Sequence, residues 1–200
     1  MFQNHLLQLL TLITMEPPPC YNADMLRDEK VKVLHAVRPP TEGDLVLGQY
    51  VGYRDERGVS STSQTLTLAA LRIFIDNWRW QGVPFFLRSG KGLAEKVTEI
   101  TLNFKQVPRS LFDENGGLQP NRLSICIQPN EAIHLDFQTK VPGAGMRTKP
   151  VRMAFAYAQD FGAGSLPEAY ERLLLDALQG MLLFLLERMT SSCPGSSSTR

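Results

Sequence analysis

Hydrophobic residues recur at helical spacing from the first positions of the chain. Phe2, Leu6, Leu9 and Ile13 follow one another at intervals of three or four residues, so that they line one face of a helix. Three consecutive prolines begin at position 17, and proline lacks the N–H group that a continuing helix needs. The pattern therefore predicts a first helix over about residues 2–15.

A second amphipathic run follows in the stretch DMLRDEKVKVLHAV. Its positions Leu26, Lys30, Leu34 and Val37 share one side, and the charged residues between them are predicted to form a solvated face. Two prolines at positions 39 and 40 end the run. The stretch therefore predicts a second helix.

Beyond these helices the hydrophobic period changes to two. The segments TEITLNF, AIHLDF and VRMAFAY alternate apolar and polar residues, which is typical of half-buried strands. LRIFIDN, PFFLRSG and RLSICIQ are further predicted strands. Connections such as DENGGLQPN are too short for helical crossovers, so the pattern predicts a largely antiparallel sheet.

A last helix is predicted near the C-terminal end of the chain. Ser165 and Glu168 fit a capping box at its start, and Gly180 is suited to its end. The order helix, helix, strands, helix predicts an α+β fold with a large, mostly antiparallel sheet and flanking helices.

Composition limits the classes of function. The 200 residues include 21 basic and 20 acidic side chains, a formal net charge of +1, so bulk electrostatics indicates no nucleic-acid partner. The apolar start is too short to cross a bilayer, so we expect no membrane insertion. The three cysteines lack CxxC spacing and nearby paired histidines, which argues against a disulfide framework or a metal site. A reducing compartment is the simpler expectation.

One glycine-containing segment resembles a dinucleotide-binding fingerprint and fails the test for it. In FGAGSLP, Gly162 and Gly164 lie between a predicted strand and a predicted helix, but Pro167 occupies the place of the third glycine. No βαβ unit surrounds the segment. We therefore expect no cofactor-binding residue in this chain.

Three side chains could carry chemistry. His5 lies at the edge of the apolar stripe of the first helix, where an imidazole could act as a general base but is more often a packed residue. Lys91 and Lys96 lie in RSGKGLAEK after a predicted strand, with Gly90 and Gly92 leaving the backbone open around Lys91. The segment could grip phosphate or sugar oxygens, and on spacing alone a solvated turn is the commoner outcome.

A series of longer motifs favours a functional role for these three residues. The segments QNHLLQLL, RDEKVKVL, GQYVGYRDE, ALRIFIDNWRWQGVPFFLRSGKGL, IQPNEAI and PEAYERLLLDAL occur here in this order. In sequence and order they resemble the glucose-6-phosphate dehydrogenases, over residues 1–180. The resemblance implies the sheet-forming C-terminal domain of that family.

The resemblance also implies residue roles. His5 matches the general base that takes the proton from the C1 hydroxyl of D-glucose 6-phosphate while C1 gives a hydride to NADP. The product is the 6-phosphoglucono-lactone, in the first step of the oxidative pentose phosphate pathway. Lys91 and Lys96 match the substrate-binding pair. The family further implies a homodimer formed through the sheet, and a cytoplasmic location with a plastid as the alternative.

Parts of the family pattern are missing from the sequence. The family's N-terminal Rossmann domain and its glycine-rich turn precede the QNH motif, and we expect this chain to lack them. Cys126 stands where some relatives use an arginine to hold a second, structural NADP. We therefore expect an enzyme fragment that is inactive on its own. The alternative is a catalytically inactive, stand-alone module for sugar-phosphate binding or dimerisation.

The resemblance stops at Gly180. Reading codons that begin one base earlier can decode the remaining stretch MLLFLLERMTSSCPGSSSTR as DASLFAR, one free position, then DDVELPWQLVDP, which follows the continuation of the family. We therefore predict that residues 181–200 are a frameshifted tail outside the family domain of residues 1–180. Resequencing the locus tests this hypothesis.

Overall fold

The computed structural model describes residues 5–107, 118–143 and 145–162, together with residues 171, 174, 175 and 178. The predicted last helix falls mostly outside these residues, and the predicted frameshifted tail lies wholly outside them. The chain divides into two compact units: residues 1–93 with 169–200, and residues 94–168.

The first unit contains both predicted helices. Helix α1 is Leu7–Thr14 and helix α2 is Ala23–Ala36. The Asn22 side chain caps α2, since its Oδ1 accepts the N–H of Met25 at 2.9 Å. The buried residues of α2 are Leu26 and Val33. Leu34, which the sequence placed on the same side as Leu26, is exposed.

A three-stranded sheet completes the first unit. Its strands are β1 (Leu45–Gly48), β2 (Leu68–Ile73) and β3 (Phe85–Gly90), in the order β1-β2-β3 with antiparallel pairing. Strand β1 has four residues and was not predicted. The core of the unit joins both helices to the sheet region, because its buried members are Leu10, Val33, Ile73 and Ile75.

The second unit is built on a four-stranded antiparallel sheet. Its strands follow the chain order β4-β5-β6-β7, and the short helix α3 (Tyr157–Asp160) comes after them. The bounds are β4 (Thr98–Asn103), β5 (Arg122–Gln128), β6 (Ala132–Lys140) and β7 (Thr148–Ala156). Five of the six predicted strand segments are confirmed, and the sixth, LRIFIDN, coincides with β2 only over residues 71–73. Every pairing among the strands that the structure describes is antiparallel. These strands divide between two sheets.

The two faces of the second sheet differ in chemistry. One face carries apolar rows across all four strands, such as Ile100, Ile125, Ile133 and Phe155. The other carries a row of polar residues in which Arg122 and Arg152 both bind the Asp136 carboxylate, at 2.8 and 2.6 Å. Hydrogen bonds from these guanidiniums hold the pKa of Asp136 well below its usual range, and the bond from Arg152 has the largest effect.

The cysteines differ from the expectation. Cys20 is disulfide-bonded, which the spacing argument did not predict, and Cys126 is a free thiol. Among the described residues, no group of three or more His, Cys, Asp or Glu side chains is arranged to hold a metal ion. Within the same ranges, no helix has the length and apolar character needed to span a membrane.

Candidate functional site

His5 lies just before α1, two residues from its first residue. The residue is half-buried, and its imidazole makes no hydrogen bond or ion pair with any residue that the structure describes. A ring in this state can present either nitrogen to a ligand. The position is compatible with a general base, provided that α1 holds it in place.

Helix α1 is anchored at its other end. The indole Nε1 of Trp80 donates to the carbonyl of Thr14 at 2.9 Å, which satisfies one of the carbonyls that a helix leaves without an internal partner. Trp80 packs edge-on against Phe85 of β3, with ring centroids 5.4 Å apart. Arg79 adds an exposed ion pair to Glu16 at 2.7 Å. These contacts tie α1 to the segment that enters β3.

Lys91 is the residue directly after β3, and α1 is tied to the segment that enters this strand. Its backbone N–H donates to the carbonyl of Thr67 at 2.8 Å. This bond continues the ladder one step beyond the last pair of β2 and β3, Leu68 with Gly90. The Lys91 side chain is exposed and makes no ion pair with any described residue. Its ammonium group is therefore available to an anionic or hydroxylated ligand.

The glycine after Lys91 is confined by an aromatic ring. Gly92 has φ +67°, a conformation that L side chains rarely adopt, and a Cβ atom built on it would lie 3.0 Å from Cγ of Tyr50. The sequence predicted open backbone around Lys91, and on this side the prediction was wrong. Tyr50 is itself in edge-on contact with Tyr53, with centroids 5.4 Å apart. The turn is thus packed against the ring of Tyr50, which in turn contacts Tyr53.

Thr67 forms hydrogen bonds both to Lys91 and to the segment of residues 48–50. It is buried, its N–H donates to the Gly48 carbonyl at 3.0 Å, and its hydroxyl accepts the N–H of Tyr50 at 2.9 Å. Its carbonyl accepts from Lys91. Burial and the nearby Glu56 carboxylate raise the pKa of the Tyr50 phenol. The phenol therefore stays protonated and donates to Glu56 at 3.4 Å.

The structure brings two of the three predicted site residues into one unit. Leu7 of α1 and Leu87 of β3 pack against the same buried core, so the elements next to His5 and Lys91 share it. Lys96 is an exposed residue of the second unit. Thr67 and Tyr50 were not predicted, because no local motif distinguishes them from other polar or aromatic residues.

The described residues do not provide a fold for a dinucleotide. A Rossmann site needs parallel strands joined by a crossover helix, and every strand pairing in the described ranges is antiparallel. The FGAGSLP segment continues into residues that the structure does not describe. The residues that this structure describes therefore form no Rossmann-type site for NADP.

The comparisons with known proteins agree with the motifs. The family model described as "Glucose-6-phosphate dehydrogenase, C-terminal domain" matches residues 1–188. The chain belongs to the glucose-6-phosphate dehydrogenase family. A relative from Aggregatibacter actinomycetemcomitans, named "Glucose-6-phosphate 1-dehydrogenase", is 50% identical over 194 residues, covering 90% of this chain and 39% of its own length. A chloroplastic form from Nicotiana tabacum is 44% identical over 192 residues, covering 89% of this chain and 32% of its own.

Solved glucose-6-phosphate dehydrogenase structures share the fold. One, described as being in complex with its substrate glucose-6-phosphate, superposes with a TM-score of 0.84 at 40% identity and covers 92% of this chain and 39% of its own. The enzyme from Mycobacterium avium gives 0.78 at 39% identity, covering 92% of this chain and 38% of its own. The chain thus spans about two fifths of these glucose-6-phosphate dehydrogenases or less.

Proposed function

We propose that this chain binds D-glucose 6-phosphate through Lys91 and Lys96 and presents its C1 hydroxyl to His5. The observation that carries the proposal is the exposed Lys91 ammonium at the end of β3, on a core shared with the helix that follows His5. A solved relative is described as a complex with glucose-6-phosphate. Its 40% identity to this chain supports the same ligand here.

Within this proposal the residues have separate tasks. Lys91 and Lys96 place charged donors on phosphate or sugar oxygens, and such charge-assisted bonds fix the orientation of the sugar. His5 accepts the proton of the C1 hydroxyl as C1 is oxidised, which avoids building a protonated carbonyl. NADP supplies the hydride acceptor in the family. The described residues offer no Rossmann fold for NADP, so no step of this chain's chemistry is assigned to it.

The proposal includes an absence of turnover. We propose that these 200 residues alone bind the sugar phosphate without oxidising it, since the family's oxidation needs a coenzyme site. The same state corresponds to the alternative function, a stand-alone sugar-phosphate-binding or dimerisation module. An assay of the purified chain with glucose 6-phosphate and NADP measures turnover, and NADPH formation above background contradicts the proposal that the chain alone is inactive.

Replacing Lys91 by alanine should weaken glucose 6-phosphate binding at least about tenfold. A hydrogen bond to a charged group contributes roughly 1.5–3 kcal/mol, and about 1.4 kcal/mol corresponds to a factor of ten. Titration calorimetry on the purified chain measures the dissociation constant. Inorganic phosphate and glucose, titrated separately, show which part of the ligand Lys91 holds.

Lys32→Ala is the matched control for this experiment. Lys32 is exposed on α2 of the same unit and pairs with Glu29, so its removal makes the same charge change away from the β3 end. The proposal expects Lys32→Ala to bind as the parent chain does. Equal losses in Lys91→Ala and Lys32→Ala, or no binding by the parent chain, overturn it.

The family also supports a homodimer formed through the sheet of the second unit. Met153 lies in an apolar row with Leu102, Leu123 and Leu135, and 61% of its surface is exposed in the single chain. A second copy can cover such a row. Met153→Asp should therefore shift the chain to monomer in sedimentation velocity, because the change buries a carboxylate at the interface.

The control for the dimer is on the same strand. Ala154 is exposed and points to the opposite face of β7, since neighbouring residues of a strand alternate. Ala154→Asp should leave the dimer intact. A parent chain that sediments only as monomer at every concentration contradicts the proposal.

The setting in metabolism and the cell follows from the family. We propose that the chain serves glucose metabolism through the oxidative pentose phosphate pathway, in the cytoplasm. Relatives include forms named cytoplasmic and chloroplastic, and a plastid location is the alternative. A fluorescent fusion in the source cell decides between them.

A further inference from the structure

The orientation of Lys91 depends on its backbone. A lysine side chain has four carbons and many rotamers, so where its ammonium reaches is set first by the position of its Cα. Lys91 lies one residue beyond β3, where strand ends open most easily. What fixes this residue is therefore as important for ligand binding as the lysine itself.

Thr67 is the residue that fixes it. Each of its hydrogen-bonding groups binds a different residue: the carbonyl accepts the N–H of Lys91, the N–H donates to the carbonyl of Gly48 at the end of β1, and the hydroxyl accepts the N–H of Tyr50. The residue is buried, and its bond to the N–H of Tyr50 is partly buried, which limits competition from water. Because all three bonds meet at one residue, Thr67 connects the segment of residues 48–50 to Lys91.

Tyr50 contacts both Thr67 and the turn that follows Lys91. Its N–H is bound by the Thr67 hydroxyl, and its ring lies against Gly92, the residue after Lys91. Gln49 holds the chain that leads into Thr67, since its Nε2 donates to the carbonyls of Ser63 and Thr65, both at 2.9 Å. Lys91 is thus held by a backbone bond on one side and by the ring that packs on Gly92 on the other.

We propose that Thr67 and Tyr50 form a clamp, the Thr67–Tyr50 clamp, which sets the direction of Lys91 and makes both of them positioning residues for sugar-phosphate binding. The assignment of a ligand to Lys91 rests on the function proposed above. The existence of the clamp does not, because its bonds and its ring contact are features of the structure alone.

Thr67→Val tests the clamp. Valine keeps the branched shape of threonine and removes only the hydroxyl, so the N–H of Tyr50 loses its acceptor. Losing such a bond corresponds to roughly a 3- to 10-fold change in a local opening equilibrium. Amide hydrogen exchange followed by NMR should show this increase at Tyr50 and Lys91, with no change at the amides of β6 and β7.

Two further variants separate positioning from general damage. Thr67→Ser keeps the hydroxyl and should restore the exchange rates and the glucose 6-phosphate affinity that Thr67→Val loses, again about 3- to 10-fold. Thr101→Val is the matched control, since it makes the same chemical change at an exposed hydroxyl of β4 that donates to Glu99. It should behave as the parent chain in both measurements.

Each outcome decides one claim. Unchanged exchange at Lys91 and Tyr50 in Thr67→Val overturns the clamp, whatever happens to binding. Faster exchange with unchanged glucose 6-phosphate affinity overturns the positioning role. If Lys91→Ala itself binds as the parent chain does, the proposed function fails, and the exchange data still show whether the clamp exists.

Discussion

Replacing His5 by alanine lowers kcat by about 10²- to 10⁴-fold when the chain is joined to the coenzyme-binding half of a relative. This is the expected loss for a general base that takes the proton of the C1 hydroxyl. The Aggregatibacter actinomycetemcomitans protein, 50% identical over 194 residues, is a suitable donor. Initial rates with glucose 6-phosphate and NADP measure kcat and KM of the fusion.

The matched control is His35→Ala. His35 is an exposed histidine of α2 and has no assigned role, so its removal makes the same chemical change elsewhere in the first unit. Lys91→Ala provides a second comparison, since it should raise KM, whereas His5→Ala should act mainly on kcat. Equal kcat values for His5→Ala and His35→Ala show that His5 is not the base.

The strands could be predicted because each satisfies its own local rule. In β4 the alternation of Ile100 and Leu102 with polar neighbours matches the observed alternation of half-buried and exposed positions. Strand β1 has only four residues, LVLG, and exposes two of them, so it carries too short a pattern to recognise. In α2 the choice between Val33 and Leu34 depends on what the helix packs against, which the local pattern does not contain.

The residues of the candidate site were likewise predictable only in part. Roles for His5, Lys91 and Lys96 came from the family motifs, because an isolated histidine or lysine carries no local signal of its chemistry. Thr67 had no such motif, and its contact with Tyr50 spans 17 positions of sequence. Its role follows from the register of β2 against β3, which places Leu68 opposite Gly90 and so brings the Thr67 carbonyl to Lys91.

Ile75→Ala should destabilise the first unit by about 2–5 kcal/mol. Ile75 is 0% exposed, and it belongs to the buried cluster that joins α1, α2 and β2. The substitution removes buried methyl groups and leaves a cavity that the surrounding helices and sheet can only partly close. Because the elements that carry His5 and Lys91 pack on this cluster, the same change should weaken glucose 6-phosphate binding.

Tryptophan fluorescence during urea unfolding measures this loss. Trp78 is 99% exposed and is replaced by phenylalanine, so that Trp80, which packs against the core, reports on the first unit. Val46→Ala is the control, since Val46 is 63% exposed on β1 and surface changes usually stay within about 0.5 kcal/mol. Ile75→Val should cost about 0.5–1.5 kcal/mol. An Ile75→Ala loss no larger than that of Val46→Ala would show that this cluster does not hold the unit together.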